Sequence, residues 1–237
     1  MRLRVNSTTT GGRPPSCHRM LMSGMLYFLR CGCPWRALPP VFGPWQTVYS
    51  RWRLWITKGV WSAAIKTLSR RREGVLRFLD ASHLKVHQDA HGGSGGKEKQ
   101  AIGFTRGGAN SKLHALVDGK GRLLRATLTA GQVGDAKIGP ELIRGLRHCR
   151  IVADKGYDSG LMRETARKSR SRSCIPQREG GIQKIAFHKG YYRKRHHVEN
   201  FFQRVKRHRR VATRYDKLAE VFFNFVLLAS TLDWIRS

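Results

Sequence analysis

Apolar residues recur at helical spacing near both ends of the chain. The pattern predicts one helix from His18 to about Arg30 and, after a Pro-rich turn, a second from about Thr47 to Lys58. A charged helical connector is predicted from Trp61 to Glu73. The longest apolar run, Val221 to Leu232, is too short to span a bilayer. It indicates a buried C-terminal helix, and we expect no membrane association.

The middle of the chain alternates between strand-like and helix-like segments. Apolar residues alternate with others from Val75 to Val86, and a hairpin is predicted around Gly119-Lys120-Gly121. Two more strands, "RIVAD" and "SRSCIPQ", alternate with helices at "AKIGPELIRGL" and "SGLMRETARKS", the second capped by Ser159. Residues 91–109 predict a flexible Gly-rich loop without the residue order of a Walker A motif. The order predicts an α/β fold, a mixed sheet flanked by helices.

The change of pattern near residue 73 divides the chain into two predicted regions. Residues 1–72 are predicted to form a small all-helical region that begins with a loose arm at residues 1–17. Residues 73–237 are predicted to form the α/β domain.

The second predicted helix is both basic and aromatic. Arg51 and Arg53 lie among Tyr49, Trp52 and Trp55. Two helices joined by a turn, the second of them basic, suggest a helix-turn-helix-like region in which Arg51 and Arg53 contact DNA. A small helical domain whose tryptophans are core residues explains the same pattern.

The charge balance narrows the class of partner. Lys and Arg number 46 against 15 Asp and Glu, which gives a formal net charge of +31. Because 40% of the residues are hydrophobic, the chain can build a core and is not a disordered basic tail. Folded proteins this basic most often bind nucleic acid, and an anionic membrane surface is the lesser alternative. Five scattered cysteines without zinc-site spacing indicate reduced thiols in a cytosolic protein.

Acids are few in this chain, so their positions are informative. Asp80 lies inside an otherwise apolar strand, and Asp154 ends the strand "RIVAD" just before Gly156. Buried acids in strands are costly unless they are paired, hydrogen-bonded or bound to a metal. Strand ends in α/β folds are also where functional sites gather. The structural alternatives are an Asp-turn at Asp80 and a cap or turn residue at Asp154.

A third acid, Glu199, lies in the basic segment "YRKRHHVENFFQRVKRHRR", which predicts one long helix. At about 100° per residue, a stripe within an arc of about 60° carries one acid, two bases and a phenol. These residues are Tyr192, Arg195, Glu199 and Lys206. Apolar side chains gather on the neighbouring face. A surface ion pair between Arg195 and Glu199 explains one pair of the stripe but not the rest.

Three carboxylates, two from strands and one from a helix, are suited to bind hard divalent cations. Mg²⁺ prefers oxygen ligands and keeps several of its waters. Two such ions about 3.5–4 Å apart can activate an attacking oxygen and stabilise a leaving one at a phosphodiester. Phosphoryl transfer otherwise requires positioning and charge stabilisation, which neighbouring Lys and Arg can supply.

These residues carry a resemblance to a known family. The chain resembles the DDE transposases of bacterial insertion sequences, the "IS five" group, whose third acid lies in a helix with the pattern Y-(2)-R-(3)-E-(6)-K. Tyr192, Arg195, Glu199 and Lys206 stand at those spacings. "LDASHLKVH" is similar to the first-acid strand, "ADKGYDS" to the second-acid motif, and "PWRALPPVFGPWQTVYSRWRLW" to the N-terminal DNA-binding region. The likeness runs from about Gly12 onward; the family usually has an additional helix before the segment "GGRPP", where this chain has few residues.

The resemblance implies a ribonuclease H-like catalytic fold in which Asp80, Asp154 and Glu199 hold Mg²⁺ or Mn²⁺, expected as two ions. It implies cleavage at the ends of an insertion sequence by water, followed by transfer of the freed 3′-hydroxyl into target DNA. The implied partner is double-stranded DNA, both terminal inverted repeats and target, with the protein a homo-oligomer on DNA in the bacterial nucleoid. No small-molecule substrate is implied.

The resemblance also implies contacts to DNA near the scissile phosphate. The expected residues are Tyr192, Arg195 and Lys206, together with Lys155 beside the second acid. Asp135, in "AGQVGD", and the Gly-rich residues 91–109 are secondary candidates for the site or for DNA contacts.

Two other functions fit parts of the sequence. One is a repressor derived from the element, which binds DNA without cleaving it. The other is an RNA-binding or ribosome-associated protein, which explains the charge but gives no reason for acids at positions 80, 154 and 199.

Overall fold

The computed structural model of the chain describes residues 17–71, 74–178 and 187–236. The predicted arm, apart from its last residue, and the predicted boundary between residues 72 and 73 lie outside the described residues. The helices are α1 His18–Cys31, α2 Trp45–Thr57, α3 Val60–Leu68, α4 Gly96–Lys99, α5 Asp135–Ile143, α6 Gly160–Lys168, α7 Lys189–Arg193, α8 His196–Lys206, α9 Arg209–Ala212 and α10 Ala219–Arg236. The strands are β1 Leu76–Val86, β2 Gly103–Thr105, β3 Gly108–Val117, β4 Leu123–Ala130, β5 Arg150–Ala153, β6 Arg172–Cys174 and β7 Thr213–Arg214.

Seven strands form one mixed sheet with β1 at its centre. β1 pairs with β3 in antiparallel orientation and with β5 in parallel orientation, and β6 continues the parallel side. β2 and β4 both pair with β3, and the short β7 pairs with the end of β1. The predicted α/β class with a mixed sheet and an antiparallel hairpin is therefore confirmed.

Helices cover both faces of this sheet. Side chains alternate between the faces of a strand. Phe78 and Ser82 of β1 contact residues of α8, and Asp80 contacts Arg195, the residue that caps α8. Lys112 of β3 points to the opposite face, where its ammonium lies 3.2 Å from Oδ1 of Asp135 at the start of α5. The apolar side of α8 is buried as its spacing predicts, through Val198, Phe201, Phe202 and Val205.

The N-terminal helices share a hydrophobic core with the rest of the chain. Trp52 is fully buried and stacks on Phe225 of α10, with 4.2 Å between ring centroids. Trp55 and Trp61 are also buried. Arg53 extends the contact, because its Nη1 lies 2.7 Å from Oε1 of Glu220 on α10. Trp52 and Trp55 of α2 are therefore core residues, as the structural alternative proposed.

Two predictions about local structure are wrong. The Gly-rich residues 91–109 are not a plain loop, since they include α4 and β2, and β2 forms a tight hairpin with β3. The long basic helix is divided into α7, α8 and α9. Within the described ranges, no helix is long and apolar enough to cross a membrane.

The backbone near Arg195 explains the first break in the basic segment. The N–H of His197 bonds to the carbonyl of Lys194, and the N–H of Val198 bonds to the carbonyl of Arg195. Such bonds to the third preceding residue tighten the turn relative to an α-helix. Arg195 itself keeps right-handed helical angles, φ −60° and ψ −22°. Periodicity alone could not show this change, because the apolar spacing continues across it.

Candidate active site

The parallel pairing of β1 and β5 places the first two predicted acids side by side. The last register pair is Leu79 with Ala153, and Asp80 and Asp154 are the next residue on each chain. Neighbouring strands lie about 4.8 Å apart. The sheet thus brings together two carboxylates that are far apart in sequence.

Each of these carboxylates has a backbone partner. Oδ1 of Asp80 accepts a hydrogen bond from the N–H of Ala81 at 2.9 Å. Oδ1 of Asp154 accepts one from the N–H of Gly156 at 3.0 Å, where Asp154 caps the short 3-10 helix Lys155–Tyr157. The structural alternative of a cap or turn residue therefore holds at Asp154, whereas Asp80 lies inside β1 and forms no Asp-turn. The two backbone hydrogen bonds fix the direction of the side chains and do not exclude a role in chemistry.

Glu199 reaches the strand acids through one guanidinium. Nη1 of Arg195 donates to Oδ2 of Asp80 at 2.8 Å, and Nη2 donates to Oε1 of Glu199 at 2.5 Å. The side chain of Asp80 is 15% exposed and that of Glu199 is 46% exposed. Arg195 therefore joins the acid of α8 to the acid of β1, and the three acids face one region.

The position of Asp80 disfavours its ionised form. Burial raises its pKa from 3.8 to about 6, the charge of Arg195 opposes the rise, and the charges of Asp154 and Glu199 add to it. Three carboxylates that lie near each other and are partly desolvated repel one another. An added positive charge would therefore stabilise their ionised forms.

Lys206 is anchored to the sheet. Its Nζ donates to Oγ of Ser82 at 2.7 Å and to the carbonyl of His83 at 2.9 Å. Burial lowers its pKa. The ammonium thus fixes the end of α8 on β1, which sets the position of Glu199 relative to Asp80.

A buried polar network lies on the opposite face of the sheet. The sequence did not show that its residues belong together. Nζ of Lys112 donates to Oδ1 of Asp135 at 3.2 Å, and Nδ1 of His114 lies 3.6 Å from the same oxygen. Nδ1 of His114 also lies 3.4 Å from the hydroxyl of Tyr157. Burial lowers the pKa of His114 to about 4, so the imidazole is neutral at neutral pH. Of these residues the sequence singled out only Asp135.

Gly156 lets Asp135 and Asp154 approach each other. A Cβ at position 156 would lie 3.0 Å from Oδ1 of Asp154 and 3.1 Å from Oδ2 of Asp135. Both distances are tighter than ordinary side-chain packing, so a glycine suits this position. The secondary candidate Asp135 therefore lies next to the second predicted acid.

The donor set fits a hard divalent cation, although the acids do not surround one point. Among the described residues, no three His, Cys, Asp or Glu side chains are grouped closely enough to hold one ion. Asp80 and Glu199 do not meet at one point because the guanidinium of Arg195 lies between them and bonds to both. Carboxylate oxygens are the ligands that Mg²⁺ and Mn²⁺ prefer, and the position between the two acids already holds a positive charge.

Two parts of the chain match families of known proteins. Residues 71–234 match the family described as "Transposase DDE domain", which is more than half of the chain. The chain belongs to the DDE transposase family. Residues 2–65 separately match the family described as "Putative transposase of IS4/5 family". The resemblance read from the acid motifs is confirmed.

Curated relatives and a solved structure are similar to this transposase. It is 33% identical over 130 residues to the "Putative transposase for insertion sequence element IS6501" of Brucella ovis, across 53% of this chain and 98% of the relative. An uncharacterized protein y4sN of Sinorhizobium fredii is 30% identical over 89 residues, 37% of this chain and 71% of the relative.

The solved structure is a piggyBac transposase in a synaptic complex with hairpin DNA. The TM-score is 0.52 at 10% identity, covering 89% of this chain and 62% of that one. At this identity the likeness concerns the fold alone. With the mixed sheet and its helices, it confirms the ribonuclease H-like class.

Several predicted DNA contacts of this transposase have partners within the chain. Nη1 of Arg51 lies 2.8 Å from Nε2 of His18, and Arg53 pairs with Glu220 as described above. The ring of Tyr192 packs edge-on against Phe187, with 5.3 Å between centroids. The 3-10 turn that begins with Lys155 is held by Arg178, whose Nε donates to the Lys155 carbonyl at 3.0 Å. Their contacts to DNA stay predictions.

Two exposed cations beside Arg195 had not been singled out. Arg193 and Lys194 are both exposed, on the turn that leads from α7 into α8. The only sequence signal was the density of basic residues in "YRKRHH", which does not separate exposed cations from buried ones.

Proposed function

We propose that this transposase cleaves DNA at the ends of its insertion sequence and transfers the new 3′ ends into target DNA, with Asp80, Asp154 and Glu199 as the catalytic and metal-binding residues. One observation carries the proposal: the register of β1 and β5 sets Asp80 beside Asp154, and Arg195 joins Glu199 to Asp80. A shared function accounts for three acids gathered in a chain with a net charge of +31.

The proposed chemistry has two steps. In the first, a water oxygen bonds to the phosphorus at the element's end, the P–O3′ bond breaks, and the leaving oxygen takes a proton to become a 3′-hydroxyl. In the second, that hydroxyl oxygen bonds to a target phosphorus and displaces a target 3′ oxygen, which takes the proton. Mg²⁺ or Mn²⁺, expected as two ions, would activate the attacking oxygen and stabilise the leaving one.

The chain's own residues would position these groups. Asp80 and Asp154 are directed by their backbone hydrogen bonds, and Lys206 fixes the α8 end relative to β1. Arg195 holds Glu199 toward the strand acids and carries positive charge into the region where a phosphate would lie. Tyr192 and Lys155 remain candidates for contacts with the DNA backbone.

The proposed partners are the terminal inverted repeats and the target duplex, bound by a homo-oligomer. The proposed division is a helical DNA-binding region at residues 1–72 and a catalytic domain at residues 73–237, which two separate family matches support. The stacking of Trp52 on Phe225 favours helices that are fixed on the catalytic domain rather than freely tethered.

A cleavage assay with the purified protein tests the proposal. The substrate is a labelled duplex that carries the element's terminal repeat and flanking DNA, incubated with Mg²⁺, with Mn²⁺ or with EDTA. We expect nicking at the 3′ end of the element with either metal and none in EDTA. Asp154→Asn and Glu199→Gln should each lower the rate at least about a hundredfold while binding of the duplex persists.

Asp158→Asn is the matched control, because Asp158 follows the same turn but is bonded to Arg163 instead of facing the other acids. It should retain cleavage wherever it folds. Binding of the repeat without metal-dependent nicking would contradict the proposal and favour an element-derived repressor. Preference for structured RNA over the repeat would contradict both.

A further inference from the structure

A basic groove lies outside the proposed active site. Its volume is about 700 Å³, and it is bounded by α1, the turn between β3 and β4, the end of α8 and the end of α10. Five cations and one acid line the groove: Arg30, Lys120, Arg204, Arg207, Arg236 and Asp233.

The acid in the groove is already neutralised. Oδ1 of Asp233 accepts from Nε of Arg204 at 2.6 Å, and Oδ2 accepts from Nη2 of the same guanidinium at 3.0 Å. By contrast, Arg30, Arg207 and Arg236 are exposed, and their side chains form no hydrogen bond or ion pair with any residue that the structure describes. The groove therefore has positive charge that no described acid balances.

These guanidinium groups face one common space. His208 also lines the groove, and its pKa is lowered by burial and by the charges of Arg236 and Arg30. The two arginines come from opposite ends of the chain, on α10 and α1. The fold holds these mutually repelling cations together. An anion that enters the groove is therefore attracted by all of them at once.

The groove and the proposed active site share α8 but face different directions. Arg207 follows Glu199 by eight residues, which is about 12 Å along a helix at 1.5 Å per residue. At 100° per residue, Arg204 lies about 140° and Arg207 about 80° around the helix from Glu199. A duplex engaged at the acids is therefore not directed into the groove by the same face of α8.

We propose that this groove binds the phosphodiester backbone of double-stranded DNA, as a contact surface separate from the acids. The proposal rests on the proposed function only in taking DNA as the partner. DNA fits because the groove offers the exposed guanidinium groups of Arg30, Arg207 and Arg236, and such groups bind phosphate oxygens without reading base sequence.

The test measures how DNA binding depends on salt. The groove variant is Arg30→Gln, Arg207→Gln and Arg236→Gln together, in EDTA, with a duplex of unrelated sequence. Each phosphate contact adds about 0.9 to the slope of log K against log salt. Loss of three contacts should lower the slope by about 2.7 and weaken binding at least about tenfold in 0.15 M KCl.

Two matched variants isolate the groove from net charge. Lys137→Gln, Arg144→Gln and Arg167→Gln together remove three exposed cations on or next to α5 and α6, none of which lines the groove. This variant should change the slope by less than about 1. Replacing the three groove arginines by lysine keeps the charge and should keep most of the slope.

Equal losses in the groove variant and the charge control would overturn the proposal, as would an unchanged slope in a folded groove variant. The proposal about the groove and the proposed function can be contradicted independently, because the binding assay contains no metal and requires no cleavage. A wild-type protein that never nicks the repeat would defeat the proposed function and leave the groove result intact.

Discussion

Asp80→Asn is expected to stabilise the protein in the absence of divalent metal. Asparagine keeps an oxygen that can accept from the N–H of Ala81 and removes the charge that burial and two neighbouring acids disfavour. The pKa of Asp80 rises from 3.8 to about 6 in the folded state. At 1.36 kcal/mol per pKa unit, this difference of about two units is about 3 kcal/mol.

The sign follows from linkage. The folded protein binds the Asp80 proton more tightly than the unfolded chain, so the stability from protonation is complete below pH 3.8 and is lost as pH rises through about 6. The gain from Asp80→Asn should be about 3 kcal/mol at pH 7 and about half of that at pH 5.

Urea unfolding in EDTA at pH 7 and pH 5 measures this difference. The control is Asp158→Asn, since Asp158 accepts from Nε of Arg163 at 2.8 Å and from the N–H of Arg178 at 3.0 Å. Removing that charge leaves the Arg163 guanidinium without its counter-charge and replaces the oxygen that accepts from Arg178 with an amide nitrogen, so the control should be destabilised. Wild type should also gain more stability from added Mn²⁺ than Asp80→Asn, because only the folded protein binds the ion.

An Asp80→Asn variant that is less stable than wild type in EDTA at pH 7 would refute the reasoning. A gain of the same size at both pH values would also refute it. The first result would mean that Arg195 stabilises ionised Asp80 by more than burial and the other acids destabilise it, and the second would mean that the gain does not come from the ionisation of Asp80.

Three further predictions concern the supports of the proposed site. Lys206→Met should lower the free energy of unfolding by about 1–2 kcal/mol, measured in urea, because two hydrogen bonds from α8 to β1 are lost. Gly156→Ala should lower the cleavage rate about tenfold or more in the repeat assay, with DNA binding retained, because the new Cβ displaces the Asp154 carboxylate. Trp52→Ala should cost about 3–5 kcal/mol by loss of a buried ring, read from thermal or urea unfolding.

The first two of these have a control variant, and all three have a contradicting result. Ser82→Ala removes one of the two Lys206 partners and should cost less than Lys206→Met; a larger cost would place the anchor elsewhere. Gly160→Ala adds a Cβ in open space, so equal loss of cleavage in both glycine variants would contradict the argument from Asp154. If Trp52→Ala unfolds with the stability of the wild type, Trp52 does not join the N-terminal helices to the core.

Much of the fold was predictable because its patterns are local. Alternation marked β1, a turn motif marked the hairpin of β3 and β4, and Ser159 marked the start of α6, where its Oγ accepts from the N–H of Met162. The placement of Asp80 and Asp154 at strand positions was also predictable. Their adjacency depended on the register of β1 and β5, which the sequence alone does not specify.

The rest depends on contacts between distant segments. Arg195 was predicted to contact DNA, yet in the structure it bonds to Asp80, 115 positions earlier. Lys206 donates hydrogen bonds to Ser82 and His83 because α8 packs directly on β1. The segment around Gly93 is held against the carbonyl of Lys217, where a Cβ would come within 2.7 Å. Composition suggested a flexible loop there, and tertiary packing gave it structure.

The most direct test of the central claim is a crystal structure of the transposase with Mn²⁺ and a terminal-repeat duplex, with the metal located by its anomalous signal. We predict a peak within bonding distance of carboxylate oxygens from both Asp80 and Asp154, with Glu199 released from Arg195 and directed at the same position. A Mn²⁺ peak elsewhere, or none while Arg195 still joins Asp80 to Glu199, would contradict the claim that these three acids form one metal-dependent site.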